Sequence, residues 1–412
     1  MNTAQPSKTL IRQGTVLLAY AAFIVLAMPN DLLGSAWRSI HTDFGIPLEW
    51  LERLVIASVS GYVISAFLSG ALVARLGVGR LLALSCALTG AALLGYTLVS
   101  QWWMLLLLGM MAGLGAGAIA AGLNTYAAAH FREGLVQWLH ASYAIGVIIG
   151  LVIISAVLTN PDSWRVGYRI VAGFQVIMAL AFVLTLPWWG KRHERAADDS
   201  SEKRLTDYKT PLVETILRPR VWLSVLLFFL YAGAEVSLGT WAYSLLTNSR
   251  DIAPNLAALA GGYWVIFVVV RILAGVFAHR LDINTLVQSG LALAFLGAGL
   301  LWWNPFPLAS LLAVVLINLA IAPIFPALIS GTSRRVEARF AANTIGMQVA
   351  AAGLGGLVIS RVVTALAVWV SPEVIPIVVA LLFLALLGLY RLSMTGKVSN
   401  VTRHPQTSAD LD

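Results

Sequence analysis

Four charged side chains stand well inside long apolar runs of this sequence: Asp31, Glu235, Arg271 and Arg361. The chain has 27 Lys and Arg and 19 Asp and Glu, and the others fall at run ends or between runs. An ionisable group in an apolar run costs ~3 kcal/mol on insertion scales, so each is a functional candidate. Taking a carboxylate out of water favours its protonated form, which suits exchange of a proton near neutral pH. Asp31 and Glu235 are therefore the candidate proton-coupling acids, and Arg271 is the candidate charge partner of Glu235. Competing readings exist for each. Asn30 and Asp31 follow Pro29 and can cap a helix kink. Glu235 can form a static ion pair with Arg271, and Arg361, near a run end, can snorkel.

A wider set of residues has the composition of a polar cavity: Asn30, Trp37, Asn124, His140, Trp241, Tyr243, Asn318 and Gln348. Aromatic faces match the C–H faces of a hydroxylated metabolite, while amides and acids match its polar rim. The alternative for Trp37, Trp241 and Tyr243 is interfacial anchoring, and for Asn124 and His140 an ordinary interhelical hydrogen bond.

The elements that must position these residues follow from composition. Of 412 residues 59% are hydrophobic and only 11% charged, with a mean hydropathy of +0.83. Soluble proteins are about one quarter charged, so a soluble enzyme, a nucleic-acid binder and a disordered scaffold are excluded. The single cysteine, Cys86, excludes an internal disulfide framework and a cysteine-built zinc site. Glycine-rich runs such as 111–118 are not phosphate loops, because no strand precedes them and no Lys-Ser/Thr follows. No cofactor, metal or nucleic-acid partner is expected.

A bilayer crossing takes about 20 apolar residues. Twelve runs qualify: 14–37, 50–74, 80–100, 102–129, 135–159, 168–189, 221–246, 254–280, 284–303, 305–332, 341–370 and 374–395. They are continuously apolar, as helices and not barrel strands require. The first thirteen residues are polar and no small-residue cleavage site follows the first run, so no cleaved leader is expected. With the N-terminus inside, the inner segments hold 20 Lys and Arg; the outer ones hold five, Arg38, Arg53, Arg165, Arg169 and Arg250. Positive residues stay inside. Both termini are therefore expected in the cytoplasm, in a multi-pass plasma (inner) membrane protein whose basic charge reports topology.

The longest connector splits the runs six and six. Asp31 with Trp37 and Glu235 with Trp241 are each offset by 204 positions; Gly70, Arg75 and Leu76 match Gly275, Arg280 and Leu281 at 205; Gly150-Leu-Val-Ile matches Gly356-Leu-Val-Ile at 206. Three ordered matches at nearly one offset indicate a duplicated six-helix unit. The expected fold is an all-α membrane protein with 12 transmembrane helices in two pseudo-symmetric six-helix bundles. Its expected parts are an N-terminal tail (1–13), an N-terminal bundle (14–190), a cytoplasmic linker (191–220), a C-terminal bundle (221–395) and a C-terminal tail (396–412). Such a repeat places a substrate between halves near the midplane, with rocking of one half against the other giving alternating access.

The segment Gly70-Ala-Leu-Val-Ala-Arg75-Leu-Gly77-Val-Gly79-Arg80 resembles the loop motif of the major facilitator superfamily. The resemblance makes Gly70, Arg75, Gly77 and Arg80 gating-loop candidates; Ala74 stands where that family usually has an Asp of a cytoplasmic charge network. Pro29-Asn30-Asp31, Gln137-Trp138-Leu-His140 and Tyr231-Ala-Gly-Ala-Glu235 resemble the fucose-permease and bypass-of-stop-codon branch. Ala120 occupies the position where fucose permeases carry a helix-four Glu. The resemblance implies a monomeric secondary transporter for a small-molecule substrate, by proton-coupled symport of a hydroxylated metabolite such as a monosaccharide. The alternative is a proton-driven antiporter exporting drugs or metabolites. A membrane enzyme lacks support, since no nucleophile–base set or metal cluster is present.

Overall fold

A computed structural model describes residues 8–158, 163–189, 204–280, 282–306 and 308–395. Parts of the expected tails (1–7 and 396–412) and of the linker (191–203) lie outside the described residues. Among the described residues, twelve helical spans are long and apolar enough to cross a membrane. They are Ile11–Asp43, Leu48–Leu76, Val78–Tyr96, Trp102–His130, Glu133–Val157, Trp164–Leu184, Pro219–Ser249, Tyr263–Arg280, Ile283–Trp303, Ala309–Ser330, Ala338–Trp369 and Val374–Met394, here spans one to twelve. No strand occurs among the described residues.

Two spans are broken by proline. Span one is helical over Lys8–Ala27 and Leu32–Asp43, with a turn at Pro29, and span ten over Ala309–Ile321 and Ile324–Ser330, with a break at Pro323. Proline lacks the N–H that the helix ladder needs and crowds the preceding turn. The expected run 254–280 is two helices, Pro254–Gly261 and Tyr263–Phe277, because Gly262 leaves helical geometry with ψ 51. Glycine is a poor helix former, and Gly261-Gly262 is a natural breakpoint.

Spans one to six pack among themselves, as do spans seven to twelve; span two crosses to span eleven, and span five to span eight. Lipid gives apolar helices no hydrophobic reason to associate, so close approach of backbones matters. Gly146 and Gly150 on span five lie against the carbonyls of Ile24 and Met28, where an added Cβ would sit 2.1 and 2.0 Å away. Gly355 on span eleven lies in the same way against the Phe229 carbonyl of span seven, at 2.0 Å. Each half thus seats its acid-bearing helix on a glycine, and span five supports the turn just before Asp31.

The linker docks beside span eleven. Asn343 donates to the Thr210 carbonyl and to Thr215 Oγ1, both at 3.0 Å, and Thr210 Oγ1 donates to the Arg339 carbonyl at 2.7 Å. This end of the bundle is called the linker face below, and the other end the far face.

Candidate functional site

A cavity of about 720 Å³ lies between the halves. Its floor is set by His140, Arg271 and Phe325, and it extends towards the far face, where Arg361 is part of its rim. Asp31 reaches it from the turn in span one, and Glu235 from the middle of span seven. The repeat-equivalent acids therefore face one space from opposite halves.

The turn at Pro29 is closed by bonds from Asn30 N to the Ala27 carbonyl (3.1 Å) and from Leu32 N to the Pro29 carbonyl (3.3 Å). Asn30 Nδ2 donates to the Tyr143 hydroxyl at 2.8 Å, tying the turn to span five. Asp31 stands at the N-cap of Leu32–Asp43, but its side chain makes no capping bond. The backbone turn closes without it, and the half-buried carboxylate is left facing the cavity.

Arg271 is 3% exposed and belongs to both halves. Its Nε donates to the Ala322 carbonyl of span ten at 2.8 Å, and an Nη donates to the His140 carbonyl of span five at 3.1 Å. The guanidinium lies 4.5 Å from the Phe267 ring centre. Among the described residues it forms no direct ion pair, so its attraction to Glu235 acts across a gap. The expected contact pair is replaced by a cation held on two carbonyls.

His140 is fixed by Asn124. Asn124 Nδ2 donates to the Ala120 carbonyl (2.9 Å), so its Oδ1 accepts from His140 Nε2 (3.0 Å), which must carry the proton. Phe23 and Phe325 pack on this ring from the two halves at 5.4 and 5.3 Å between centroids. Above it, Tyr143 and Trp264 meet across the interface at 6.2 Å, and Tyr263 packs on Trp264 at 4.7 Å.

The halves close against each other on the linker face. Gln137 Nε2 donates to the Pro323 carbonyl (2.9 Å) and Trp138 Nε1 to the Ile272 carbonyl (3.1 Å). An added Cβ on Gly134 would sit 2.5 Å from the Gly275 carbonyl, and one on Gly70 would sit 2.7 Å from the Asn343 Cα. At the far face Arg361 of span eleven pairs with Glu52 of span two at 2.8 Å, both side chains being exposed. Arg361 thus bridges the halves and does not merely snorkel.

Of the residues singled out in the sequence, Asn30, Asp31, Ala120, Asn124, His140, Glu235 and Arg271 line the cavity, with Arg361 at its rim. Trp37, Trp241, Tyr243, Asn318, Gln348 and the gating-loop residues do not. Trp37 is buried, donates to the Leu48 carbonyl at 2.7 Å and packs on Trp102. Trp241 donates to Thr364 Oγ1 at 3.0 Å, and Tyr243 points outward. Gln348 belongs to a buried network in the second half, donating to Ser224 and accepting from Thr332, which also holds Arg335. Asn318 is buried in span ten away from the cavity. Gly77 has φ +77 and separates spans two and three, while Arg75 and Arg80 are exposed beside it.

The cavity's own aromatic lining, including Tyr62, Tyr143, Tyr263 and Trp264, went unnamed in the sequence. Its signal was helical spacing: Tyr143 lies three residues past His140, and Trp264 seven before Arg271, each on the face of its polar neighbour.

A twelve-span helical protein with a polar, aromatic-lined cavity between two repeated halves has the architecture of a transporter. The profile described as Major Facilitator Superfamily matches residues 19–360, and the chain belongs to that family. It is therefore a multi-pass membrane transporter and not an enzyme. Relatives include the glucose/mannose transporter GlcP of Bacillus subtilis, 20% identical over 84% of this chain and 86% of its own. Bypass of stop codon protein 6 of Saccharomyces cerevisiae is 23% identical over 88% of this chain and 78% of its own. Among solved structures, the transporter FucP in its outward conformation superposes with a TM-score of 0.72 at 15% identity, covering 92% of this chain and 98% of FucP. The proton:xylose symporter XylE superposes with a TM-score of 0.75 at 13% identity, covering 94% and 97%.

Proposed function

We propose that the chain is a proton-coupled symporter of a neutral hydroxylated metabolite, a monosaccharide, working by alternating access. One observation carries the reading: Asp31 and Glu235, equivalent in the repeat, face one aromatic-lined cavity from opposite halves with the buried cation Arg271 at its floor. Fully ionised, these three groups sum to one negative charge; with one proton bound they are neutral. Entry of a neutral polyol with a single proton therefore leaves the closed cavity uncharged, which low-dielectric surroundings favour.

In this reading Asp31 takes the proton from the far face. It is the more accessible acid, having no hydrogen-bond or ion-pair partner among the described residues to displace. Glu235 sits beside the Tyr231 hydroxyl, whose proton is given to the Ile321 carbonyl at 2.9 Å. Tyr143, Tyr263 and Trp264 supply faces for the sugar ring, and Asn30 and His140 supply hydrogen-bonding edges. Arg271 holds the floor shut through His140, and opening towards the linker face requires that bond to break. Gly70, Arg75, Gly77 and Arg80 form the hinge loop of that movement. The basic linker face is assigned to the cytoplasm of a plasma (inner) membrane, with both termini there, and the working unit to the monomer.

The family relatives named for glucose, mannose and xylose support the substrate class. The test is uptake in sealed proteoliposomes holding the full chain. An inward proton gradient should concentrate labelled D-glucose, D-mannose or D-xylose inside, and collapse of the gradient should release it. If the gradient expels every sugar and metabolite tried, the protein is an antiporter and the symport reading is lost.

A further inference from the structure

A second crevice, about 480 Å³, lies on the linker face where span five begins and span eight ends. It shares no lining residue with the central cavity. We propose that it holds the phosphate of an anionic phospholipid, bridged by Arg132 of one half and Arg280 of the other. This inference is independent of what the central cavity carries.

The charges in and beside the crevice point to an anion. Its acids are already engaged: Glu133 pairs with Arg334 at 3.2 Å, and Arg334 also reaches Asp282 at 3.6 Å. Neither Arg132 nor Arg280 has a carboxylate partner among the described residues. Arg280 Nε donates to His279 Nε2 at 3.2 Å, while His279 Nδ1 faces the Val276 carbonyl at 3.1 Å. With Nε2 accepting and Nδ1 donating, the His279 ring is neutral, and the rest of the Arg280 guanidinium stays exposed. Arg132 lines the crevice, and Arg280 stands beside it, bonded to the lining residue His279, so open cations from opposite halves meet at one place.

The surroundings choose a lipid as the occupant. The crevice sits at span ends, which is headgroup level in a bilayer. One turn deeper, Trp138 is exposed with its ring fixed by the bond to Ile272. Ile272, Leu273, Val276 and Phe277 continue an exposed apolar strip along span eight, a surface for an acyl chain beneath the headgroup. The halves touch here at Gly134 and Gly275, so a phosphate spanning both arginines adds attraction only while the linker face is closed. The lipid would act as a removable clasp on this state.

The test is retention of lipid by the purified full chain in detergent, read by native mass spectrometry at low salt. Each arginine near an anionic headgroup is worth about fivefold, so phosphatidylglycerol should be retained about thirtyfold over phosphatidylcholine. The variant Arg132→Gln/Arg280→Gln should fall to near parity while unfolding at the wild-type temperature in lipid-free detergent, since neither side chain is buried. Equal retention of the two lipids by wild type, or an undiminished preference in the double variant, overturns the proposal. A third arm uses inorganic phosphate: if it displaces bound phosphatidylglycerol, the acyl-chain surface is idle and a phospholipid site is refuted.

Discussion

The two ends of the interface between the halves are built differently. On the linker face the backbones of Gly134 and Gly275 touch, Gln137 and Trp138 give their N–H groups across the seam, and Arg271 is sealed beneath them. At the far face the bridge described here is one exposed ion pair, Arg361 with Glu52. The bonds of Gln137 and Arg271 are buried, and buried, directional contacts are strong and fail together, whereas an exposed pair is worth about 0–1 kcal/mol. In the proposed cycle the first end holds this conformation and the second is where a ligand would enter. The driven step of that cycle would then be the parting of the linker face, which breaks the bond that ties Arg271 to His140.

The largest expected effect comes from the sealed end. Arg271→Met removes the cation that joins Ala322 and His140 and offsets Glu235. Breaking such a buried set costs about 3–5 kcal/mol, so accumulation in proteoliposomes should fall by a hundredfold or more. Retained accumulation would show that the floor is not held by this residue. Gly134→Leu should come next. Its side chain has no room against the Gly275 carbonyl, and overpacking costs about 1–3 kcal/mol. The linker face should stay ajar and uptake should drop about tenfold or more, with a cysteine placed at Ala141, buried in span five one turn past Trp138, becoming reactive to a membrane-impermeant thiol reagent from that side. The smallest effect belongs to the far face, where Arg361→Gln should change sugar uptake by less than about threefold. A loss as deep as that of Arg271→Met would erase the contrast between the two ends.

The number and kind of spans were legible because a bilayer demands long apolar helices, and the duplication was legible because both halves keep an acid and a Trp at one offset. The resemblance to the family was legible in the Gly70–Arg80 segment, and the profile match over residues 19–360 shows the membership. The cavity was only half legible. Charged and amide residues announce themselves in apolar runs, so Asn30, Asp31, Asn124, His140, Glu235 and Arg271 stood out. Aromatic residues do not, because in a membrane the same Trp or Tyr serves as anchor, core filler or cavity wall. Trp37 and Trp241 offer the aromatic faces a hydroxylated ligand needs, yet each turns its indole N–H to a neighbour on the protein's own frame. The break at Gly262 shows the same limit: hydropathy reads straight through a kink that backbone geometry requires.

The coupling of proton to sugar is tested most directly with a pH dye outside sealed, de-energised proteoliposomes. Adding sugar to wild type should alkalinise the medium as protons enter with it. Asp31→Asn should abolish that signal while still exchanging labelled for unlabelled sugar across the membrane. An unchanged alkalinisation in Asp31→Asn would contradict the account, because the proton would then travel without the acid on which it rests.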